Sequence, residues 1–175
     1  MYETLDELSF KEILGYSIRA EEKAKEFYTQ ISEGLSELME HRFQSLAADE
    51  EIHRQELLRL HEKLFGDKDY VVPEKEGLPP HEGDAQVDTV GSLLETLNTA
   101  MENERNAFKI YEYLAKSQEE YGALFKYLAV MEHGHFESLK KEKELLEGRT
   151  ARNPEIREET PSGLFDFLLE RRQIQ

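Results

Sequence analysis

Apolar side chains recur at alternating steps of three and four residues along four long stretches of the chain. This spacing puts the apolar positions on one face of an α-helix, and that face packs against neighbouring helices. At 1.5 Å per residue, each stretch gives a helix of about 40 Å. The pattern predicts helices over about Leu5 to Glu33, Ser36 to Phe65, Thr89 to Lys116 and Glu119 to Glu147.

Glycines and one capping pattern mark the ends of these helices. Gly34, Gly66 and Gly148 each stand just past the last apolar position of a helix, where glycine is a common stop signal. Ser92 and Glu95 have the spacing of a capping box near the start of the third helix. We therefore expect the first, second and fourth helices to end just before these glycines.

The connections between the predicted helices differ in length. Short joins around Gly34 and around Ser117–Gln118 make antiparallel neighbours. The segment at about residues 66–88 contains Pro73, Pro79 and Pro80, so it cannot be helical, but it can return along the whole bundle. We expect an all-α fold, a four-helix bundle made of two α-hairpins joined by a long crossover.

The chain is expected to form one domain over residues 1–148. Residues 149–175 would follow as a polar linker and a short amphipathic C-terminal helix. We expect this helix to cover the bundle or a second subunit, and a docking peptide for another protein is the alternative. Its apolar residues are Leu164, Phe165, Phe167, Leu168 and Leu169.

Ionisable residues interrupt the apolar face of every predicted helix near its middle, and the interruptions repeat. The segment "AEEKAKEFY" (20–28) aligns with "NERNAFKIY" (103–111) at an offset of 83, and "EEIH" (50–53) aligns with "EHGH" (132–135) at an offset of 82. Duplication of an α-hairpin accounts for this repeat and predicts that the repeated residues meet at one level of the core. They are Glu21, Glu50, His53, Glu104, Glu132 and His135.

Four carboxylates in a core need compensating positive charge, because removing a carboxylate from water costs several kcal/mol. No position on the apolar faces is Lys or Arg. Two divalent metal ions would balance the four negative charges, and the Glu-x-x-His spacing puts both side chains on one helix face. Oxygen-rich ligation with one nitrogen per ion and no sulfur favours iron or manganese over structural zinc.

Several residues near this level have less specific patterns. Tyr28 and Tyr111 are core tyrosines predicted to donate hydrogen bonds, with a ligand carboxylate as one acceptor, or else to be redox-active. The register disfavours Glu22 and Glu102 as ligands. Surface positions are expected for His41, His61, His81, His133, Asp49 and Glu51.

Composition limits the possible partners. Lys and Arg number 22 against 38 Asp and Glu, a net charge of −16, which argues against binding nucleic acid or an anionic membrane. There is no cysteine, so disulfides, thiolate zinc sites, iron–sulfur clusters and a cysteine nucleophile are excluded. No signal-like or membrane-spanning apolar run is present in the sequence, and we expect a cytoplasmic protein.

The paired motifs resemble the rubrerythrin-like branch of the ferritin-like superfamily over about residues 8–147. The resemblance implies a ferritin-like bundle holding two iron ions, with manganese or zinc as possible substitutes. It implies that Glu21 and Glu104 are terminal ligands and that Glu50 and Glu132 are bridging ligands. It also implies that His53 and His135 are the nitrogen ligands.

Two features depart from that family. Rubrerythrins carry a further Glu one turn after the third-helix ligand, where this chain has Ala107, and they usually carry a rubredoxin domain with four cysteines. The resemblance therefore implies a six-ligand site similar to that of bacterioferritin. The expected function is an oxidoreductase that reduces hydrogen peroxide or dioxygen with an external electron donor such as rubredoxin. Alternatives are a ferroxidase or iron-storage protein and a metal-stabilised interaction bundle, and the resemblance favours a homodimer.

Overall fold

A computed structural model describes residues 2–80 and 86–162 of the chain. These residues form helices and no strands. Four long helices build a bundle, which confirms the predicted all-α four-helix architecture. The helices are α1 (Tyr2–Asp6), α2 (Phe10–Ser32), α3 (Glu37–Phe65), α4 (Val90–Ser117) and α5 (Gly122–Arg152), with 3₁₀ turns at Glu119–Tyr121 and Pro154–Glu158.

The first predicted helix is in fact two helices, because Ser9 starts α2 with a capping box. The backbone N–H of Ser9 donates to Glu12 Oε2 at 2.8 Å, and the Glu12 N–H donates to Ser9 Oγ at 3.3 Å. These bonds satisfy backbone donors that a helix start leaves unpaired. The prediction of one continuous helix from Leu5 was wrong for this reason.

Two of the three glycine stops are confirmed. Gly34 and Gly66 have φ angles of 79° and 86°, in the left-handed region that glycine adopts without strain. Gly148 does not end its helix, since α5 continues to Arg152. Leu146 and Thr150 are buried on either side of Gly148, and packing of this last turn outweighs the low helix propensity of glycine.

Two helix starts also differ from the prediction. The N-cap of α4 is Thr89, and Ser92 is its capping partner rather than the cap itself: the Ser92 N–H donates to Thr89 Oγ1 at 3.1 Å. The fourth long helix begins at Gly122, because Glu119–Tyr121 forms a 3₁₀ turn. Both differences shift a boundary by a few residues and leave the helix faces unchanged.

The helices α2 and α3 pack along their lengths, as do α4 and α5, so the two predicted hairpins form the two halves of the bundle. Their inner faces bury two apolar clusters, one at each end of the bundle. The cluster toward Gly34 includes Phe27, Tyr28, Ile31, Phe43, Leu97 and Leu139. The cluster toward Gly66 includes Leu14, Ile18, Leu57, Leu114, Phe125 and Leu128.

The crossover between α3 and α4 packs against the side of α2. The Tyr16 hydroxyl donates to the Pro79 carbonyl at 2.8 Å, and the Tyr70 hydroxyl donates to Glu22 at 3.2 Å. Gly15 lies directly under this segment, since a Cβ atom there would overlap the Val71 carbonyl oxygen. The crossover thus covers the α2 side of the bundle.

The chain after α5 folds back onto the start of α4. Ile156 in the 3₁₀ turn is buried, and the Val90 N–H donates to the Glu159 carbonyl at 2.9 Å. The C-terminal helix predicted around Leu164–Leu169 lies outside the described residues. Within the described ranges, no helix combines the length and apolar character needed to cross a membrane.

Candidate metal centre

The six ionisable residues of the helix faces lie at one level, between the two apolar clusters. None of them is more than 6% exposed. The helix α2 contributes Glu21, and α4 contributes Glu104. The Glu-x-x-His pairs come from α3 and α5, so every long helix supplies at least one side chain. The structure brings together all six residues that the sequence pattern singled out.

One group of donors gathers around His53. Its Nδ1 atom lies 2.8 Å from Glu132 Oε1, 3.3 Å from Glu50 Oε2 and 3.8 Å from Glu21 Oε2. Together, these four residues offer one nitrogen and three carboxylate oxygens within 4.8 Å of one another. This group could hold one metal ion.

A second group gathers around His135 in the same arrangement. Its Nδ1 atom lies 3.1 Å from Glu50 Oε1, 3.5 Å from Glu104 Oε2 and 3.8 Å from Glu132 Oε2. These four residues also have donor atoms within 4.8 Å of one another. The second group therefore repeats the first, with the roles of the two halves of the chain exchanged.

Glu50 and Glu132 belong to both groups and face each with a different oxygen. For Glu50, Oε2 lies near His53 and Oε1 near His135. For Glu132, Oε1 lies near His53 and Oε2 near His135. A carboxylate that offers one oxygen to each of two neighbouring groups is suited to bridge two metal ions.

The donor atoms fit metal ions better than they fit one another. Both oxygens of Glu50 and both nitrogens of His53 and His135 are buried without a hydrogen-bond partner among the described residues. Such groups are rarely left unpaired in a native interior. Donors about 2.1 Å from a metal ion and at right angles around it would stand about 3 Å apart, close to the separations of 2.8–3.8 Å around His53.

The two buried tyrosines hold the outer carboxylates in a crosswise pattern. The Tyr28 hydroxyl on α2 donates to Glu104 Oε1 on α4, and the Tyr111 hydroxyl on α4 donates to Glu21 Oε1 on α2. Each carboxylate thus keeps its other oxygen toward a histidine. Burial, followed by the nearby carboxylate, raises the pKa of Tyr28 and of Tyr111, so both hydroxyls stay protonated donors.

A cavity of about 40 Å³ reaches the four carboxylates from between α2 and α4. The backbones of these two helices approach each other closely at only a few places, in contrast to the tight packing within each hairpin. Small side chains keep the space open, and Pro80 of the crossover lies at its edge. The lining outside the carboxylates includes Tyr16, Ala20, Ala24, Asn103, Asn106 and Ala107.

Comparison with known proteins agrees with this geometry. The Rubrerythrin family model matches residues 12–143. The chain belongs to the rubrerythrin family. A solved structure of a hypothetical protein from Pyrococcus furiosus is 32% identical, with a TM-score of 0.77 over 83% of this chain and 95% of that one. No curated protein matches the chain.

Membership of the rubrerythrin family confirms the resemblance and the ferritin-like di-iron type of bundle. It also makes Ala107 a notable difference from the family, because rubrerythrins carry a further Glu at that position. Ala107 lines the cavity, and so does Ala24, its counterpart in the other half of the chain. In this rubrerythrin-family chain, the cavity therefore extends to the position where a further Glu side chain would stand, beside Glu104.

Protons would compensate the carboxylates in the metal-free rubrerythrin-family protein. Burial raises the pKa of Glu21 to about 8, and burial together with the charge on Glu50 raises the pKa of Glu132. Burial lowers the pKa of His53 and of His135, but hydrogen bonding to the surrounding carboxylates has the larger combined effect. The pKa of both imidazoles is therefore raised. Metal ions would have to displace these protons.

We predict that the metal-free protein loses stability as the pH rises. The pKa of Glu21 is about 8 in the folded chain against an ordinary 4.5, so the folded state binds the extra proton between these values. The free energy of unfolding then falls across this window, by up to about 1.4 kcal/mol per pH unit for one proton. The raised pKa of His53 acts in the same direction above pH 6.5.

Thermal unfolding followed by circular dichroism from pH 5 to pH 8 tests this. We expect the melting temperature of the chelated protein to fall by at least about 5 °C. The Glu21→Gln variant, which cannot take up this proton, should show a shallower slope. A melting temperature that rises with pH in the chelated wild type would contradict the prediction.

Removing one tyrosine hydroxyl should weaken metal binding. In Tyr28→Phe, Glu104 Oε1 loses its donor in a buried place, and such second-layer bonds typically change metal affinity about 10- to 100-fold. Metal titration by calorimetry measures the effect. Tyr113→Phe is a matched control, because that hydroxyl donates to Asp6 at the surface. Equal affinities in the two variants would show that Tyr28 does not position the ligand.

Two expectations about nearby residues were wrong. Asp49 on α3 is not simply solvated, because its Oδ2 lies 3.5 Å from Nε2 of His135 on α5. His61 is buried rather than on the surface, and its Nδ1 lies 2.8 Å from the Asp67 carbonyl oxygen. His41 and His133 are exposed, and His81 lies outside the described residues.

Ion pairs away from the site hold the two rejected ligand candidates, Glu22 and Glu102, and also Glu51, which was expected at the surface. Glu22 pairs with Arg19, and Glu102 pairs with Arg105. Glu51 pairs with Arg54 and Lys25, which lower its pKa to about 2. An arginine three residues away is the sequence signal that separates these carboxylates from the buried ones.

Proposed function

We propose that this protein binds two iron ions and uses them to reduce hydrogen peroxide or dioxygen with electrons from a separate donor. The observation that carries the proposal is a pair of buried donor groups that share Glu50 and Glu132 beside an open cavity. Glu21 and His53 would complete one metal position, and Glu104 and His135 the other. The oxygen-rich donor set favours iron or manganese over structural zinc.

Reduction of one hydrogen peroxide molecule takes two electrons and two protons, breaks the O–O bond and gives two water molecules. Two iron ions held by the six donor residues would supply the two electrons by changing from Fe(II) to Fe(III). The sequence contains no cysteine with which to hold an iron–sulfur relay, so a donor such as rubredoxin would return them. The chain itself orients its outer carboxylates through Tyr28 and Tyr111 and surrounds the site with apolar clusters.

The cavity at the carboxylates is small. Its volume of about 40 Å³ has room for a few water-sized molecules. Hydrogen peroxide and dioxygen are of this size. Asn103 and Asn106 add polar side chains to a wall that also contains Ala20, Ala24, Ala107 and Ile110, and polar groups in the wall suit a small polar molecule such as peroxide.

Metal analysis and optical spectroscopy of the protein purified without chelators test the proposal. We expect two iron ions per chain. The Fe(II) form should gain near-ultraviolet ferric absorption when stoichiometric peroxide or air is added, faster than Fe(II) in buffer. Oxidation no faster than that of free Fe(II), at full iron loading, would rule out the redox function and leave a structural role for the metal.

Enlarging Ala107 should slow oxidation without removing the metal. A leucine there would fill the cavity beside Glu104, while all six donor residues remain. We expect Ala107→Leu to lower the oxidation rate by about tenfold, which corresponds to about 1.4 kcal/mol. Ala115→Leu is the matched control, since Ala115 is half-buried on the same helix but does not line the cavity. Equal rates would place substrate entry elsewhere.

Iron oxidation and storage is the second candidate. The open position at Ala107 leaves six donors for two ions, the ligand set that resembles bacterioferritin, and the net charge of −16 attracts cations. Repeated additions of Fe(II) in air separate the two functions. Uptake of far more than two iron ions per chain would favour storage, while saturation at two with continued peroxide turnover would favour the reductase.

A further inference from the structure

The cavity beside the carboxylates leads outward to the crossover. Glu50 and Glu132 lie at its inner end and are each 1% exposed, whereas Pro80, which also lines the cavity, is exposed. A space bounded by both buried and exposed residues connects the interior of the bundle with its surface. Pro80 therefore stands at the mouth of the cavity, on the side of α2 that the crossover covers.

A buried tyrosine joins the wall of the cavity to its mouth. Tyr16 on α2 lines the cavity, and its hydroxyl donates to the Pro79 carbonyl at 2.8 Å. Burial raises the pKa of Tyr16, so this hydroxyl stays a protonated donor. The residue next to Pro80 in the chain is thus tied to the cavity wall.

The two prolines at the mouth form a stiff unit. A proline has no backbone N–H, so the backbone of Pro79 and Pro80 can form hydrogen bonds only by accepting them at a carbonyl oxygen. Each ring fixes its φ angle, and Pro80 also restricts the residue before it. The pair therefore moves together, and a hydrogen bond to Pro79 also fixes where Pro80 lies.

The rest of the crossover is held by other contacts. The Tyr70 hydroxyl donates to Glu22 at 3.2 Å, and Val71 lies against Gly15. Further along the crossover, Gly77 lies against the side chain of Thr4. Loss of the hydrogen bond from the Tyr16 hydroxyl would therefore release the two prolines without detaching the whole crossover.

Tyr16 is not part of the internal repeat that builds the metal centre. At the offset of 83 that relates Tyr28 to Tyr111, the counterpart of Tyr16 is Thr99. Duplication of a hairpin therefore accounts for the six donor residues but not for Tyr16. The crossover also has no counterpart in the repeat, and Tyr16 is hydrogen-bonded to it.

We infer that Tyr16 is a positioning residue that holds Pro79 and Pro80 over the mouth of the cavity and so controls access to the carboxylates. With the hydrogen bond formed, the mouth admits water-sized molecules, and with the bond broken it also admits larger ones. That the entering molecule is hydrogen peroxide or dioxygen rests on the proposed function. The closure of the mouth does not.

Thiol labelling measures this closure, because the natural chain has no cysteine. The Ala107→Cys variant carries a single thiol on the cavity wall, and the metal-free protein leaves this thiol free of metal ions. We expect the further change Tyr16→Phe to raise the rate of reaction with iodoacetamide by about fivefold, the factor expected from the loss of one hydrogen bond. A bulkier maleimide should show a larger increase.

Two controls separate the closure from general loosening of the bundle. Ala100→Cys puts a thiol on the same helix, fully buried in the apolar cluster toward Gly34, and Tyr16→Phe should leave its labelling rate unchanged. Tyr113→Phe removes a hydroxyl that donates to Asp6 at the surface and should not affect either thiol. Equal acceleration of both thiols, or unchanged labelling at Ala107→Cys, would overturn the inference.

Turnover of the iron-loaded protein with two peroxides relates the closure to the proposed reaction. We expect Tyr16→Phe to raise the rate with tert-butyl hydroperoxide relative to the rate with hydrogen peroxide, and an unchanged ratio would contradict control of access by Tyr16. Faster labelling in a protein that reduces neither peroxide would refute the proposed function and support the closure. Unchanged labelling in a protein that reduces hydrogen peroxide would do the reverse.

Discussion

Removing both metal ions from the loaded protein is expected to lower its melting temperature by about 15 °C or more. Without the ions, four buried carboxylates face one another with only protons to compensate them. A ligand present at 1,000 times its dissociation constant contributes about 4.1 kcal/mol, and two such sites about 8 kcal/mol. For a chain of this size each kcal/mol corresponds to about 2–4 °C.

Circular dichroism melts before and after chelation measure this difference. The same chelator should leave the melting temperature of Glu132→Ala almost unchanged, because that variant lacks one of the two shared carboxylates and each donor group loses one of its oxygen ligands. An unchanged melting temperature of the wild type on full removal of its metal would mean that the buried carboxylates are compensated without metal ions.

The second large effect concerns the shared carboxylates. Glu132→Ala should reduce the bound metal from two ions per chain to none at micromolar concentrations, since Glu132 faces both histidines. Glu21→Ala should retain one ion, because Glu21 belongs only to the group around His53. Metal analysis after dialysis distinguishes the variants, and Glu102→Ala, at an exposed ion pair, is the control.

An equal loss of metal in Glu21→Ala and Glu132→Ala would contradict separate groups joined by a bridge. It would show instead that both ions depend on every carboxylate. Retention of two ions in Glu132→Ala would remove the bridging role of that residue. Far-ultraviolet circular dichroism of each variant shows whether the bundle has folded.

The long helices and the buried level of the site could be predicted because they follow from one repeating pattern. Steps of three and four residues fix which side chains face inward, and a helix cannot turn Glu50 outward while Leu57 stays inside. The repeat of Glu21 and Tyr28 in Glu104 and Tyr111 placed both halves in one register. The structure brings these residues together as the pattern required.

Features that depend on the packing of distant segments could not be predicted in this way. Gly148 resembles a stop signal, but burial of Leu146 and Thr150 keeps the last turn of α5 helical. His61 lies off the inward face of α3, yet the beginning of the crossover folds over it and buries it. The crosswise choice of partners by Tyr28 and Tyr111 also depends on how the hairpins meet.

The crosswise tyrosines make each hairpin depend on the sequence of the other. Each half of the chain carries a carboxylate whose orientation is fixed by a hydroxyl from the other half. A change at Tyr28 is therefore felt at Glu104, on the other hairpin, and the reverse holds for Tyr111 and Glu21. A hairpin transplanted from a relative would therefore need both a tyrosine and a glutamate placed to match those of the other hairpin.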